Sequence, residues 1–441
     1  MAGKYRAYPE YKESGVIGLD EIPANWHAQK IKFLFHLGRG RVISQEELVD
    51  EGTYPVYSSQ TMNNGCLGYI STYDFDCTQI TWTTDGANAG TVFLRNGKHN
   101  CTNVCGTLQP KNNATNLEYL LYCLQYVTPF YKRPDTNGAK IMNGEMGEIF
   151  VALPSVDEQN DIANFLDHET AKIDALIDKQ QQLIKLLKEK RQAVISHAVT
   201  KGLNPAAPMR DSGVEWLGEV PVHWVVAQLK FNTIEMQTGP FGSQLHAEDY
   251  IDDGIPLVNP AHMCDGKIVP DSKVSVDKET WHRLKRHQLL EGDLIFARRG
   301  ELGRCAIVTK EEEGWLCGTG SLKAKLNNRL VPEYSYLLIT SDGVVSELSL
   351  ESKGSTMDNL NTETLGRVRL PVPPLDEQRK ILDYVNEVSG KFRFLIDKAS
   401  SAIELIKERR TALISAAVTG KIDVRNWQAP ASCHNQRGTV A

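Results

Sequence analysis

The side chains best placed for chemistry in this chain are hydrogen-bonding groups set in glycine turns. Arg298-Arg299-Gly300, with Arg304 close by, is the best basic cluster of residues 225–368. Arginine donates bidentately to guanine O6 and N7 in a major groove, so these three are candidate base-readers. The competing reading is a surface pair neutralised by Glu301. Thr238-Gly239-Pro240-Phe241-Gly242-Ser243-Gln244 combines backbone N–H groups, hydroxyls and an amide in a tight turn. Such groups contact phosphates and base edges, although a plain structural turn has the same composition. Lys353-Gly354-Ser355-Thr356 with Asn359 is a further polar, glycine-containing stretch. Earlier in the chain Arg39-Gly40-Arg41, Ser58-Ser59, Thr84 and Lys140 are lower-ranked candidates of the same kind.

Groups suited to bond-making are incomplete. Asn259-Pro260-Ala261-His262 is half of an amino-methyltransferase loop, and no glycine loop for S-adenosylmethionine accompanies it. Gly318-Thr319-Gly320-Ser321 lacks the spacing of a phosphate loop. Pro134-Asp135 and Pro270-Asp271 open like metal-dependent nuclease motifs but lack the Glu/Asp-x-Lys partner. The nine cysteines include no Cys-x-x-Cys pair, and His99, Cys101 and Cys105 match no common zinc spacing. No catalytic residue, metal site or cofactor is expected in this chain.

The elements that must position the polar turns are duplicated. Residues 156–200 align without a gap to 375–419, with 20 identities in 45 positions. These include Asp157-Glu158-Gln159 against Asp376-Glu377-Gln378, and Leu176-Ile177-Asp178-Lys179 against Leu395-Ile396-Asp397-Lys398. A second match pairs Ser14–Phe33 with Ser212–Phe231, with nine identities in 20. In the long repeat, Ile162, Leu166, Ile173, Leu176, Leu183, Leu187 and Val194 fall on a 4-3 spacing, which predicts a coiled-coil seam. Ser155-Val156-Asp157-Glu158 reads as a capping box, and Gly202 and Gly420 as stops. Two helices of some 40–45 residues, about 60–65 Å long, are expected to pair antiparallel with pseudo-two-fold symmetry.

The inserts, roughly 27–150 and 225–368, read as mixed α and β. Tyr54–Tyr57, Gln79–Thr83, Thr91–Leu94, Asp293–Ala297 and Cys305–Val308 are strand candidates, and Glu118–Val127 and Glu333–Ile339 helix candidates. Both inserts carry a strand, a glycine turn and a strand, at 82–92 and 296–306, so one fold with different loops is expected. At 441 residues more than one core is required. No apolar run can span a bilayer and no apolar segment follows the N-terminus, which implies no membrane and a cytoplasmic address. The net charge of −6 counts against a nucleic-acid partner unless basic groups are local or another subunit supplies backbone affinity. A coiled-coil scaffold binding proteins, and a stand-alone nuclease, remain open on these grounds.

The whole pattern resembles the specificity subunits of type I restriction–modification systems. The resemblance rests on Ser14-Gly15-Val16…Ile22-Pro23-x-x-Trp26 and its copy Ser212-Gly213-Val214…Val220-Pro221-x-x-Trp224, on Tyr54-Pro55-Val56-Tyr57-Ser58-Ser59, on Thr238–Ser243, and on the repeated Leu-Pro…Asp-Glu-Gln entry to each helix. Asp85 stands where the second insert has Arg299, and the first insert's loops carry few basic residues. The resemblance implies an α+β chain with two target-recognition domains, separated and joined by two long helices. Expected ranges are 1–150 for the first recognition domain, 151–205 for the first helix, 206–368 for the second domain, 369–425 for the second helix and 426–441 for a tail. It further implies a non-catalytic subunit that reads a split, asymmetric site in double-stranded DNA. Two methyltransferase subunits and restriction/translocase subunits would dock on it, bringing S-adenosylmethionine, ATP and Mg2+.

Overall fold

The computed structural model describes residues 5–112, 114–136, 138–300, 302–352 and 360–429. Internal contacts divide the chain into two units, 1–182 with 400–441, and 183–399. The two long helices run Val156–Lys201 and Leu375–Val418, so each unit owns part of both.

In the first unit an antiparallel sheet runs in the order Phe35–Arg39, Cys105–Pro110, Gln79–Thr83, Val92–Arg95. Its core side is covered by the helix Leu117–Val127, whose Asn116 cap accepts from the Tyr119 amide at 2.8 Å. Tyr119, Leu120 and Leu124 join Ile80, Trp82 and Leu108 in one buried cluster. A second sheet is ordered Cys66–Ile70, Tyr54–Tyr57, Lys98–Cys101, Phe75–Asp76, with Tyr54–Tyr57 and Lys98–Cys101 running parallel.

The second unit repeats this plan. One sheet is ordered Thr233–Thr238, Ser321–Leu326, Leu294–Ala297, Cys305–Ile307, under the helix Pro332–Ile339. The other is ordered Tyr250–Ile251, Ser275–Val276, Ile255–Val258, Leu316–Cys317, again with one parallel pair. The inserts therefore share a fold although their sequences show no visible likeness beyond the strand–glycine turn–strand unit. The hairpin Met263–Cys264/Lys267–Ile268 and the helix Lys278–Arg283 belong to the second insert.

The repeated residues are the frame around each insert. His27–Lys30 pairs with Phe150–Leu153, and Val225–Gln228 with Arg369–Val372, closing each insert at its two ends. Beside the first closure the buried Glu158 carboxylate accepts from the Tyr8 hydroxyl at 2.6 Å and the Trp26 indole at 3.2 Å. Beside the second, Glu377 accepts from the Trp224 indole at 3.0 Å and meets His223 at 2.8 Å. Gln159 donates to the Pro154 carbonyl and accepts from the Asn116 amide. Gln378 does the same with Pro373 and Val331. Aspartate-glutamate-glutamine is thus kept twice because its last two members tie each helix start to its insert. The expected capping box is half-formed. The Ser155 hydroxyl accepts from the Glu158 amide, but the Glu158 carboxylate turns to Tyr8 and Trp26 because a buried charge needs those donors more than an exposed amide does.

Within the first unit the start of the first helix and the end of the second lie in one core, with Leu166 and Ile173 beside Leu413 and Ile414, and Arg410 donating to Asp174 at 2.9 Å. Within the second, Ala198 and Val199 share a core with Ile381 and Val385. The seam departs from the expected heptad. Leu176 and Leu183 are 49% and 43% exposed, and Leu395 is 48% exposed, while Ile177, Ile184 and Ile396 are the partly covered residues. A straight α-helix drifts about 20° per heptad, so over about three heptads the residue after the heptad position comes to lie nearer the covered line.

Candidate nucleic-acid interface

At one edge of each insert, five chain segments meet in a junction held by four backbone hydrogen bonds. In the first unit Gly40 N donates to Cys105 O at 3.0 Å, Thr102 N to Tyr57 O at 2.8 Å, Thr84 N to Val104 O at 3.1 Å and Ile141 N to Thr84 O at 2.8 Å. In the second, Gly239 N donates to Ser321 O at 2.9 Å, Gly318 N to Val258 O at 2.9 Å, Arg298 N to Gly320 O at 2.9 Å and Leu360 N to Arg298 O at 2.8 Å. Bond for bond, Gly40 corresponds to Gly239, Thr84 to Arg298, Asp85 to Arg299 and Ile141 to Leu360. The two glycines are required by close approach. A Cβ on Gly40 would collide with the Cys101 carbonyl, and one on Gly239 with the Gly318 carbonyl.

The second junction gathers most of its sequence-predicted residues. Phe241 is 62% exposed and Ser243 is exposed, while Gln244 folds back to accept from the Phe241 amide. Thr238 is part-covered, its carbonyl bonded to the His287 imidazole at 3.0 Å, and burial holds that imidazole below the usual histidine range. Gly239 is buried. Arg298 and Arg299 differ in kind. Arg298 donates from Nε to the Leu360 carbonyl at 3.1 Å, so it braces the junction, whereas Arg299 is exposed. Arg304 is exposed, with Nη1 3.4 Å from the Pro260 carbonyl. Lys353, Ser355, Asn359 and Glu301 lie outside the described residues.

In the first unit the predicted set is less coherent. Arg39 is exposed at its strand end. Arg41 is held between Glu47 at 2.8 Å and Asp74 at 3.1 Å, and the Glu47 hydrogen bond pushes its pKa up. Ser58 accepts from the Thr102 hydroxyl at 3.0 Å, and Ser59 is partly covered. Lys140 pairs with Asp135 at 3.4 Å. Thr84 requires correction. Its side chain is fully buried beside the equally buried Thr83, and the outward place falls to the part-exposed Asp85.

Several residues of the junctions escaped the sequence reading. Asn259 belongs to no methyltransferase loop; its Oδ1 accepts from the Gly320 amide at 3.3 Å and locks the Gly318–Ser321 turn. Exposed Lys285 and Arg286 lie next to the second junction, with Arg286 donating to the Gln237 side chain at 2.8 Å. In the first unit Met62, Asn63 and Asn64 form an exposed loop with Asn63 and Asn64 at positive φ, 49° and 54°. Its anchor is the buried Arg95, stacked 3.5 Å from the Tyr57 ring centre and bonded to the Asn64 carbonyl at 2.7 Å. Consecutive asparagines ahead of Gly65 were the available signal, since asparagine tolerates left-handed backbone. His99 is occupied by Gly97 and Gln79, and among the described residues no cluster of His, Cys, Asp and Glu could hold a metal. Among them no helix is long and apolar enough to cross a membrane.

Two repeated α+β units with duplicated junctions and differing side chains define a class, that of tandem recognition proteins. The type I restriction modification DNA specificity domain matches residues 23–186 and 247–404, and the chain belongs to that family. It is a specificity subunit, a non-catalytic DNA-recognition component. The specificity subunit of the type I restriction enzyme MjaVIII from Methanocaldococcus jannaschii is 23% identical over 92% of this chain and 95% of its own length. A candidate type I specificity subunit N-terminus of Mycoplasma pneumoniae, S.MpnORF289P, is 42% identical over 31% of this chain and 74% of its own length. A chain solved in work on complex assembly and conformational transition of the type I R-M system shares the fold. Its TM-score is 0.63 at 14% identity, over 90% of this chain and 98% of that one.

Proposed function

We propose that each unit of this chain reads one half of a split, asymmetric DNA target, while the long helices pair as an antiparallel coiled coil that fixes the unread gap. The observation that carries this reading is the junction built twice with the same backbone bonds and different outward side chains. Identical frames present their heads equivalently, and different heads select different half-sites. Exposed Arg299 and Arg304 supply guanine and phosphate contacts at the second half-site, with Lys285 and Arg286 adding local positive charge against the acidic whole. Two readers on one side of B-DNA sit about one turn, ~34 Å, apart, which helices of this length can span. The recognition domains are residues 1–150 and 206–368, and the spacers 151–205 and 369–425.

Two methyltransferase subunits dock on the repeated frame, and restriction/translocase subunits join them. S-adenosylmethionine, ATP and Mg2+ belong to those partners. Support for two equal docking sites comes from apolar residues that stay exposed in both copies. In the first unit Leu176 and Leu405 line a groove of about 620 Å3 with Glu408 and Ala412. Their repeat counterparts in the second unit, Leu395 and Leu186, are 48% and 60% exposed. Exposed leucines kept identical through a duplication favour one kind of partner bound twice.

The test replaces residues 27–150 with the corresponding insert of another family member and maps the methylated sequence of the assembled complex. One half-site should change and the other persist. If both change together, or if no split motif is methylated by the unaltered complex, the reading fails.

A further inference from the structure

The two junctions differ most sharply at one position. Asp85 and Arg299 follow equivalent residues whose amides and carbonyls make equivalent bonds, Thr84 with Val104 and Ile141, Arg298 with Gly320 and Leu360. Each is followed by a glycine at positive φ, 88° at Gly86 and 85° at Gly300, and a Cβ on either glycine would meet nothing within 4 Å. The turn is therefore the same and open on the same side. Thr84 and Arg298 are used inside the junction, so the outward place falls to Asp85 and Arg299. Asp85 is half-exposed and makes no side-chain hydrogen bond among the described residues. One side chain is an acceptor only and the other a donor only.

We infer that position 85/299 is a specificity-determining position at which the two readers demand opposite base chemistry: an exocyclic amino group opposite Asp85, and guanine opposite Arg299. A carboxylate accepts from cytosine N4 or adenine N6 and rejects guanine O6 and N7, whose lone pairs face it. A guanidinium does the reverse. Lys140 is the cross-strand neighbour of Asp85 in the pair of strands Asp85–Gly86 and Gly138–Lys140, and its ammonium pairs with Asp135 at 3.4 Å. This inference rests on the proposed reading of DNA by both units and adds which kind of base each unit selects.

The experiment assembles the complex with its methyltransferase subunits and maps the methylated motif for wild type, Asp85→Arg, Asp85→Asn and Arg299→Asp. Asp85→Arg should change the preferred base at a single position of one half-site to guanine, by about tenfold or more, with the other half-site unchanged. Arg299→Asp should do the converse in the other half-site. The amide introduced by Asp85→Asn both donates and accepts, so that variant should relax the same single position without moving any other. Should Asp85→Arg abolish binding, the Asp85→Asn motif decides. An unchanged motif in either Asp85 variant overturns the assignment while leaving the split target intact. A wild-type complex with no split motif would instead defeat the proposed function on which the assignment rests.

Discussion

Removing the Glu158 carboxylate would leave the Tyr8 hydroxyl and the Trp26 indole N–H without an acceptor in a site where all three side chains are at most 5% exposed. Burial first, and then the Glu158 hydrogen bond, push the Tyr8 phenol far above its ordinary range, so it stays a neutral donor at any working pH. Stranding two buried donors costs about 1–3 kcal/mol each before relaxation, so Glu158→Ala should destabilise the protein by about 3 kcal/mol. Glu158→Gln, which keeps a carbonyl acceptor, should cost less than half of that. Chemical denaturation followed by tryptophan fluorescence measures both, and equal losses for the two variants would show that the acceptor is not what matters. At this scale the sequence displayed the identical glutamates and tryptophans but not their meeting. Trp26 and Glu158 are 132 positions apart, and nothing in local spacing signals a bond across an insert of that length. Reading Arg298 and Arg299 as one cluster failed for a similar reason. Composition cannot separate a guanidinium that braces Leu360 from one that faces solvent, and both stand in the bend after the strand Leu294–Ala297, where strand alternation gives no guide.

Elements were more legible than residues. The long helices were visible because twenty identities held one register, and short strands such as Tyr54–Tyr57 because β-branched and aromatic runs ended in turns. The shared fold of the inserts was visible only in the strand–glycine–strand unit. The rest of the likeness is carried by backbone bonds, which constrain side chains at Gly40 and Gly239 and hardly elsewhere. Periodicity misplaced the middle of the seam because a heptad template assumes supercoiling from end to end, and Leu176 and Leu183, which it placed inside, are exposed, while Leu166 is buried and Leu187 part-covered. The exposed leucines give a prediction at this scale. Leu176→Glu with Leu405→Glu alters two exposed residues of the first unit, so stability should change by no more than about 0.5 kcal/mol for each. Partner binding should fall from two methyltransferase copies to one, because Leu395 and Leu186 of the second unit are untouched. Native mass spectrometry of the assembled complex counts the copies. Two copies still bound at undiminished affinity would remove the groove from the docking surface.

For the whole molecule, the proposed spacing of the half-sites follows from treating the helices, paired as proposed, as a ruler laid along a duplex. The helices contain 46 and 44 residues, about 69 and 66 Å at about 1.5 Å per residue. Seven residues are close to two full helical turns, so a heptad inserted into both helices, at matching points of the repeat, keeps the covered stripes facing each other. It lengthens the rod by about 10.5 Å, which equals about three base pairs of B-DNA. Three base pairs also rotate the groove by roughly a third of a turn, so the readers would meet the lengthened site at the wrong face. Three heptads add about 31.5 Å, close to one duplex repeat of about 34–36 Å, and bring the groove back to nearly its original face. The expected series is therefore not monotonic. One heptad should abolish methylation at the native gap and give weak modification at a gap about three base pairs longer. Three heptads should restore stronger modification at a gap about nine to ten base pairs longer, with both half-sites unaltered throughout. Sequencing the methylated positions in a library of targets with graded gaps reads all of this at once. A gap preference that ignores the insertions would separate the helices from the spacing and leave the heads to set it by other means.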